Sequence, residues 1–268
     1  MKKKILLVAI TYNSNHALKI YLKTIETALK KANNIDLTVI IGDNGDKKFD
    51  ISNLEFDYNV SICHFNNLGY LGAAFEIINR QNLREFNYIV ISNVDIKLGA
   101  DFFQKLYERE ESDSVGWVCP QIWSETEQRN RNPFLYSRNS KFKLNILRLF
   151  FFFPLIHKIY IKTFYKRKRY FQRLNLNGIS NEIYAGHGSI FILTSSFVKK
   201  ITEKLNYPVF LYGEECYFAE LCYHCNLKVI FDPQLKVTTE DHISTRNLNK
   251  LYYKYNFEAL TYILKKFY

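Results

Sequence analysis

The chain opens with apolar runs separated by polar turns. Residues 4–9 (KILLVA) are almost wholly apolar and are followed by the polar stretch 11–15 (TYNSN). Leu18, Leu22, Ile25 and Leu29 then recur at helical spacing and predict a helix over 16–31. Residues 37–41 (LTVII), 60–65, 88–92 (YIVIS) and 115–120 read as further strands, with helices over 69–80 and 100–110 between them. Continuous apolar runs, rather than alternating ones, mark strands buried on both faces. Strand and helix alternating at this pitch predict a parallel sheet layered between helices, the three-layer α/β class.

Regularity fades after residue 121 and returns near residue 184. Residues 189–193 (SIFIL) read as a strand, and Ser195 as the cap of a helix to 205. Residues 214–225 predict a helix, 228–231 a short strand and 247–267 a terminal helix. No internal repeat or low-complexity linker separates these parts. The expectation is one domain, 1–268, in which 122–183 is an insertion between a first part, 1–121, and a second, 184–268.

Composition rules out a disordered or collagenous chain. Of 268 residues, 47% are hydrophobic and 16% aromatic, enough apolar material to offset chain entropy. Charge changes the picture more. The formal net charge is +11, but no acidic residue occurs between 128 and 181, where thirteen Lys or Arg lie. The remainder carries 24 basic and 26 acidic residues, a net of −2, so the insertion holds the whole positive balance. It also contains the run 149–156 (LFFFFPLI). That run is too short for a bilayer span and is interrupted by Pro154. Two readings stand for 148–173: an interfacial contact with anionic lipid, or a solvated basic face on a core helix. Nucleic acid is not expected, because no RNA-binding signature accompanies the cations. Met1, Lys2, Lys3 and Lys4 precede an apolar run too short for a secretory core, and the five scattered cysteines read as reduced cytosolic thiols. Cys222 and Cys225, with Cys216 or His242, have zinc-compatible spacing. No second Cys-x-x-Cys pair exists, so buried thiols are the simpler reading.

In an open parallel sheet, ligands bind beyond the carboxyl ends of the strands. Polar residues gather there. The first strand ends in Thr11, Tyr12 and Asn13; the second in Asp43, Asn44, Gly45 and Asp46. The third runs into Asn66, Asn67, Gly69 and Gly72, and the fourth into Asn93 and Asp95. Asp-Asn-Gly alone is ordinary turn chemistry; four such clusters at successive strand ends point to a ligand site.

The order Thr-Tyr-Asn, Asp-Asn-Gly, Asn-x-x-Gly-x-x-Gly-Ala, Asn-x-Asp, Gly-Glu-Glu and a late His resembles the family 2 glycosyltransferases of the GT-A fold. The likeness is strongest to the bacterial O-antigen and capsule branch, including rhamnosyl- and galactosyltransferase-like members. It extends from Lys4 to about Thr245. It implies a Rossmann-like, mostly parallel three-layer sandwich in which 1–121 binds a nucleotide-diphospho-sugar and 184–268 supplies the acceptor and catalytic half. Thr11 and Asp43 would meet base and ribose, and Asn93 and Asp95 would stand in the family's Asp-x-Asp motif. Asp95 would then ligate Mn²⁺ or Mg²⁺, with His242 as a further metal or diphosphate contact. Gly186, His187 and Gly188 match the loop beneath the donor sugar. Glu215 matches the catalytic base position, usually Asp in the family, and Glu214 would orient acceptor or donor. The implied partners are a UDP- or dTDP-sugar and a lipid-linked or oligosaccharide acceptor. The implied place is the inner face of the cytoplasmic membrane. A homodimer is a separate expectation.

Two other classes compete. A non-catalytic membrane- or nucleic-acid-binding adaptor would explain 128–181 but not the strand-end clusters. A sugar nucleotidyltransferase would carry a Gly-rich basic loop after the first strand, where this chain has Thr11 to Asn15 without Gly or Lys.

Overall fold

A computed structural model describes residues 2–52, 55–156, 181–201, 203–240 and 249–268. Within them, β1 (Lys3–Thr11), β2 (Ile35–Asp43), β3 (Asn59–His64), β4 (Tyr88–Asn93), β5 (Ile96–Leu98), β6 (Val115–Ser124), β7 (Arg129–Asn130), β8 (Asn181–Ile183), β9 (Ile190–Thr194) and β10 (Lys228–Thr239) join one sheet. Its order is β3-β2-β1-β4-β9-β6-β10-β5, with β7 beside β6 and β8 beside β10. The helices are α1 (Asn15–Lys30), α2 (Tyr70–Ile78), α3 (Phe102–Glu108), α4 (Lys141–Phe152), α5 (Ser195–Lys200), α6 (Glu214–His224) and α7 (Asn249–Phe267).

The three-layer expectation follows from how β1 divides its side chains. Successive strand residues face opposite ways. Leu6, Val8 and Ile10 enter one core cluster with residues of α2, α5, α6 and α7. Ile5, Leu7 and Ala9 enter the other with residues of α1 and α3. Helices therefore cover both faces, and each fully buried aliphatic side chain contributes about 1.5–3 kcal/mol relative to exposure.

The sheet is mostly parallel, as expected, with one reversal in its middle. β1, β2, β3 and β4 pair in parallel, as do β6 and β10. Between these groups β9 runs antiparallel to both β4 and β6. It enters the sheet where β4 ends, with the Asn93 N–H donating to the Ser189 carbonyl at 2.9 Å. This reversal brings the 186–188 loop to the carboxyl ends of the parallel strands. Parts 1–121 and 184–268 thus interleave in one sheet.

Two elements differ from the sequence reading. The helix expected over 195–205 stops at Lys200, and its cap is Thr194, whose hydroxyl accepts the Phe197 N–H. Beyond it the chain is held open by Asn79, whose amide bonds both the carbonyl and the N–H of Leu205. The strand expected to end at 231 continues to Thr239. Pro233 lies in a register shift between Asp232 and Lys236, so its missing donor interrupts no ladder bond.

Candidate active site

The strand ends are in step. Thr11 lies opposite Asp43, and Asn93 opposite Ile10, so three adjacent strands finish side by side. Thr239, the last residue of β10, donates its hydroxyl to the Asp95 carbonyl at 3.3 Å and brings the far half of the sheet to the same edge.

The loops beyond β1 and β2 are built by the side chains that the sequence singles out. Asp43 is fully buried. Its Oδ1 accepts the Gly45 N–H at 2.9 Å, and its Oδ2 accepts the Phe49 N–H at 2.8 Å and lies 3.1 Å from His64 Nδ1. Asn44 Oδ1 accepts the Leu68 N–H, and its Nδ2 donates to the Gly69 carbonyl. Asn13, at φ 50°, exchanges two 2.9 Å bonds with Asp46. These three residues therefore have loop-building duties beside any ligand duty. Tyr12 projects into solvent, 45% exposed. Asn67 takes a positive φ of 46° in the turn that Asn44 holds.

Gly69 has φ 76°, and a Cβ there would stand 2.2 Å from the Phe210 carbonyl oxygen. The close approach at this glycine is thus made by the 210–213 turn. Gly72 sits in the first turn of α2, where a Cβ would meet only Leu68 at 3.2 Å. The two segments that lead into α2 and α6 are locked together through Gly69.

That lock places the acids. Tyr212 and Gly213 both take positive φ, 71° and 81°, and turn the chain into α6. Glu214 is buried and accepts the Tyr212 N–H at 2.9 Å. Burial, then the neighbouring Glu215 charge, pushes its carboxyl up to about 8. Glu215 reaches the other way, its Oε1 accepting the Gly188 N–H at 3.2 Å, and burial raises it too. A carboxyl whose hold on a proton is raised by burial is better suited to take one from a hydroxyl.

Asp95, Glu214 and Glu215 all act electrostatically on a residue that sequence reading passed over, Tyr70. The Tyr70 hydroxyl is buried with no hydrogen-bond partner among the described residues. Burial first, then the charges of Glu214, Tyr21, Asp95 and Glu215, hold it far above the usual phenol range. Thr11 Oγ1 is a second buried hydroxyl without such a partner. Buried polar atoms are ordinarily bonded to protein or water, so unpartnered ones mark places where a ligand or water completes the set. Tyr70 adjoins Gly69 at the start of α2, and that neighbourhood was its only sequence signal.

The 186–188 loop is fixed by a second overlooked residue. Buried Asn132 accepts the His187 N–H at 2.6 Å and donates to the Pro120 carbonyl. An Asn-Pro dipeptide is a turn signal, and Asn132-Pro133 is the one feature of the sequence that could have drawn attention to it. His187 Nδ1 faces the Ser189 hydroxyl at 2.9 Å, and its ring meets the edge of Phe134. At Gly186 a Cβ would stand 2.3 Å from Cys119 Sγ. The loop is thereby packed down on β6.

Among the described residues no three His, Cys, Asp or Glu side chains form a metal cage. His242 lies outside those residues. Asp95, half-buried at the strand edge, fits the mode in which Mg²⁺ or Mn²⁺ takes one carboxylate and completes its shell with water and phosphate oxygens. Cys119 and Cys222 are buried, and Cys216 and Cys225 partly so; burial raises all four thiols, the behaviour of packed, unreactive groups.

No family model matches the chain, and no curated protein matches it. Solved structures do. The crystal structure of GalNAc-T7 with UDP, GalNAc and Mn²⁺ superposes with a TM-score of 0.59 at 11% identity, covering 91% of this chain and 45% of that one. The crystal structure of S. aureus TarS superposes with a TM-score of 0.55 at 10% identity, covering 94% of this chain and 38% of that one. The chain thus spans less than half the length of either. Both neighbours are GT-A glycosyltransferases, and this chain has the GT-A fold.

Proposed function

We propose that the protein is an inverting, metal-dependent glycosyltransferase. It moves a sugar from a nucleotide-diphospho-sugar, UDP- or dTDP-linked, to a hydroxyl of a lipid-linked or glycan acceptor in bacterial surface polysaccharide synthesis. The observation that supports this reading most directly is Glu215 held on the Gly188 N–H, in the loop that the Asn93–Ser189 bond brings to the carboxyl ends of the parallel strands, the edge of a GT-A sheet where ligands bind.

Glu215 is the base. The acceptor oxygen attacks the sugar C1 from the face opposite the diphosphate and gives its proton to Glu215. The new C1–O bond forms as the bond from C1 to the diphosphate oxygen breaks, and the electron pair leaves with the diphosphate. The Gly188 N–H holds one Glu215 oxygen and sets its direction. Glu214, tied back to the Tyr212 N–H, shapes the turn and raises the affinity of the pair for a proton. Asp95 would hold the divalent cation, which when bound offsets charge on the leaving diphosphate. Thr11, Asn93 and the 186–188 loop border the donor.

The test is a panel of nucleotide-sugars with Mn²⁺, read by thermal shift, followed by turnover with Glu215→Gln. Stabilisation by one donor class, with transfer lost in the variant, supports the reading. A panel that leaves the melting temperature unmoved removes it.

A further inference from the structure

Helix α4 is apolar on two opposite sides. Leu144 is buried, Leu147 packs on the core, and the Phe151 ring meets Tyr252 and Tyr253 of α7 at 5.6 and 6.3 Å. These three residues recur every three or four positions and form the inner stripe. Phe142, Ile146, Leu149 and Phe153 recur at the same spacing roughly half a turn away, at about 100° per residue. They are exposed to 75%, 37%, 51% and 44% respectively. The stripe continues past the helix in Leu155 and Ile156, both exposed. A surface helix of a soluble domain normally turns a polar face to water.

The flanks of the outer stripe decide what covers it. Lys141, Lys143 and Arg148 lie between the two apolar sides, and α4 has no acidic residue. Nor has any position from 128 to 181, and seven more cations follow between 158 and 173. A protein partner for an apolar face needs no such one-sided charge, whereas a bilayer bearing anionic headgroups does: apolar side chains enter the headgroup boundary while the cations meet phosphate at its level. Among the described residues no helix is long and apolar enough to cross a membrane, so the contact lies in the plane of the interface.

We infer that α4 and the residues after it to Ile156 lay their outer face, led by Phe142, Ile146, Leu149 and Phe153, into an anionic lipid surface. The inner face stays on α7, so the catalytic body is carried by a rigid helix pair. This goes beyond sugar transfer and does not depend on it.

The experiment is flotation of the full chain with vesicles, without sugar nucleotide. One set is phosphatidylcholine alone, and the other carries phosphatidylglycerol. Binding is expected with the anionic vesicles and is weakened by salt. A Phe142→Ser, Leu149→Ser double variant should bind on the order of tenfold or more weakly, because two side chains no longer leave water. Lys143→Glu with Arg148→Glu should also release it. Both sets change exposed or half-exposed positions, and an unchanged thermal midpoint shows that folding is intact. As a second readout, Phe142→Trp should shift its fluorescence to the blue on adding anionic vesicles. Failure to float with anionic vesicles overturns the inference. So does binding indifferent to both variants, or a dimer in light scattering that the serine variant dissolves while vesicles go unbound. Binding that survives charge reversal but not the serines removes the anionic surface. Because no donor is present, a failed glycosyl-transfer assay leaves this result unaffected.

Discussion

Glu215 Oε1 accepts the Gly188 N–H at 3.2 Å, and a methyl group on Gly188 would stand 2.8 Å from that oxygen. The missing side chain at 188 is therefore what lets the carboxylate lie against the loop. Gly188→Ala should displace the end of a flexible side chain at small cost in stability and large cost in turnover. Equal losses in melting temperature and kcat would show that the glycine serves packing alone.

Removing the base is the sharper test. Glu215→Gln should lower kcat by about 10²–10⁴-fold and leave donor affinity nearly unchanged. Calorimetry with the donor separates the two quantities. Full turnover in this variant, with loss in Glu214→Gln, would exchange the roles of the neighbours.

Asp95→Ala should make donor binding indifferent to Mn²⁺, because phosphate oxygens and water alone hold the cation weakly. Titration of donor with and without Mn²⁺ reads the difference directly. A variant whose affinity still rises with the cation would place the metal elsewhere.

Gly69→Ala is expected to act on the fold. The new Cβ is fixed by a backbone of positive φ and would stand 2.2 Å from the Phe210 carbonyl oxygen, so the backbone itself must move. The strained backbone alone costs about 1–3 kcal/mol. Urea midpoints should fall, and activity with them, since the same contact sets the turn before Glu214. Tyr70→Phe should behave oppositely. It deletes a buried hydroxyl without a partner among the described residues, so stability holds or rises, while kcat/KM falls by about tenfold if substrate completes that hydroxyl's bonding.

Stability should decline with pH through the acid pair. Below the ordinary carboxylate value of 4.5, folded and unfolded chains both keep the Glu214 proton. Between there and about 8 the unfolded chain releases it and the folded chain retains it, so rising pH favours unfolding. Above that range the slope ends. Glu214→Gln should flatten the curve, as measured by denaturant midpoints at about pH 5 and pH 8.5.

The particular residues divide between the two levels of description. Ile5 to Ile10 announced a strand buried on both faces, because burial leaves its mark on every position of a short run. Leu18, Leu22 and Ile25 announced α1 in the same way. The gathering of Thr11, Asp43, Asn93 and Asp95 at strand ends followed from topology once parallel strands were expected. Tertiary structure alone set β9 against its neighbours, carried β10 past Pro233, spent the Asp43 oxygens on Gly45 and Phe49, and aimed Glu215 rather than Glu214 at Gly188. It also supplied Tyr70 and Asn132, to which the sequence reading gave no role. Periodicity is a local property, and a chain reports it within one turn or one strand. The direction of a carboxylate, or the partner of a hydroxyl, depends on residues far away in sequence, and only packing brings those together.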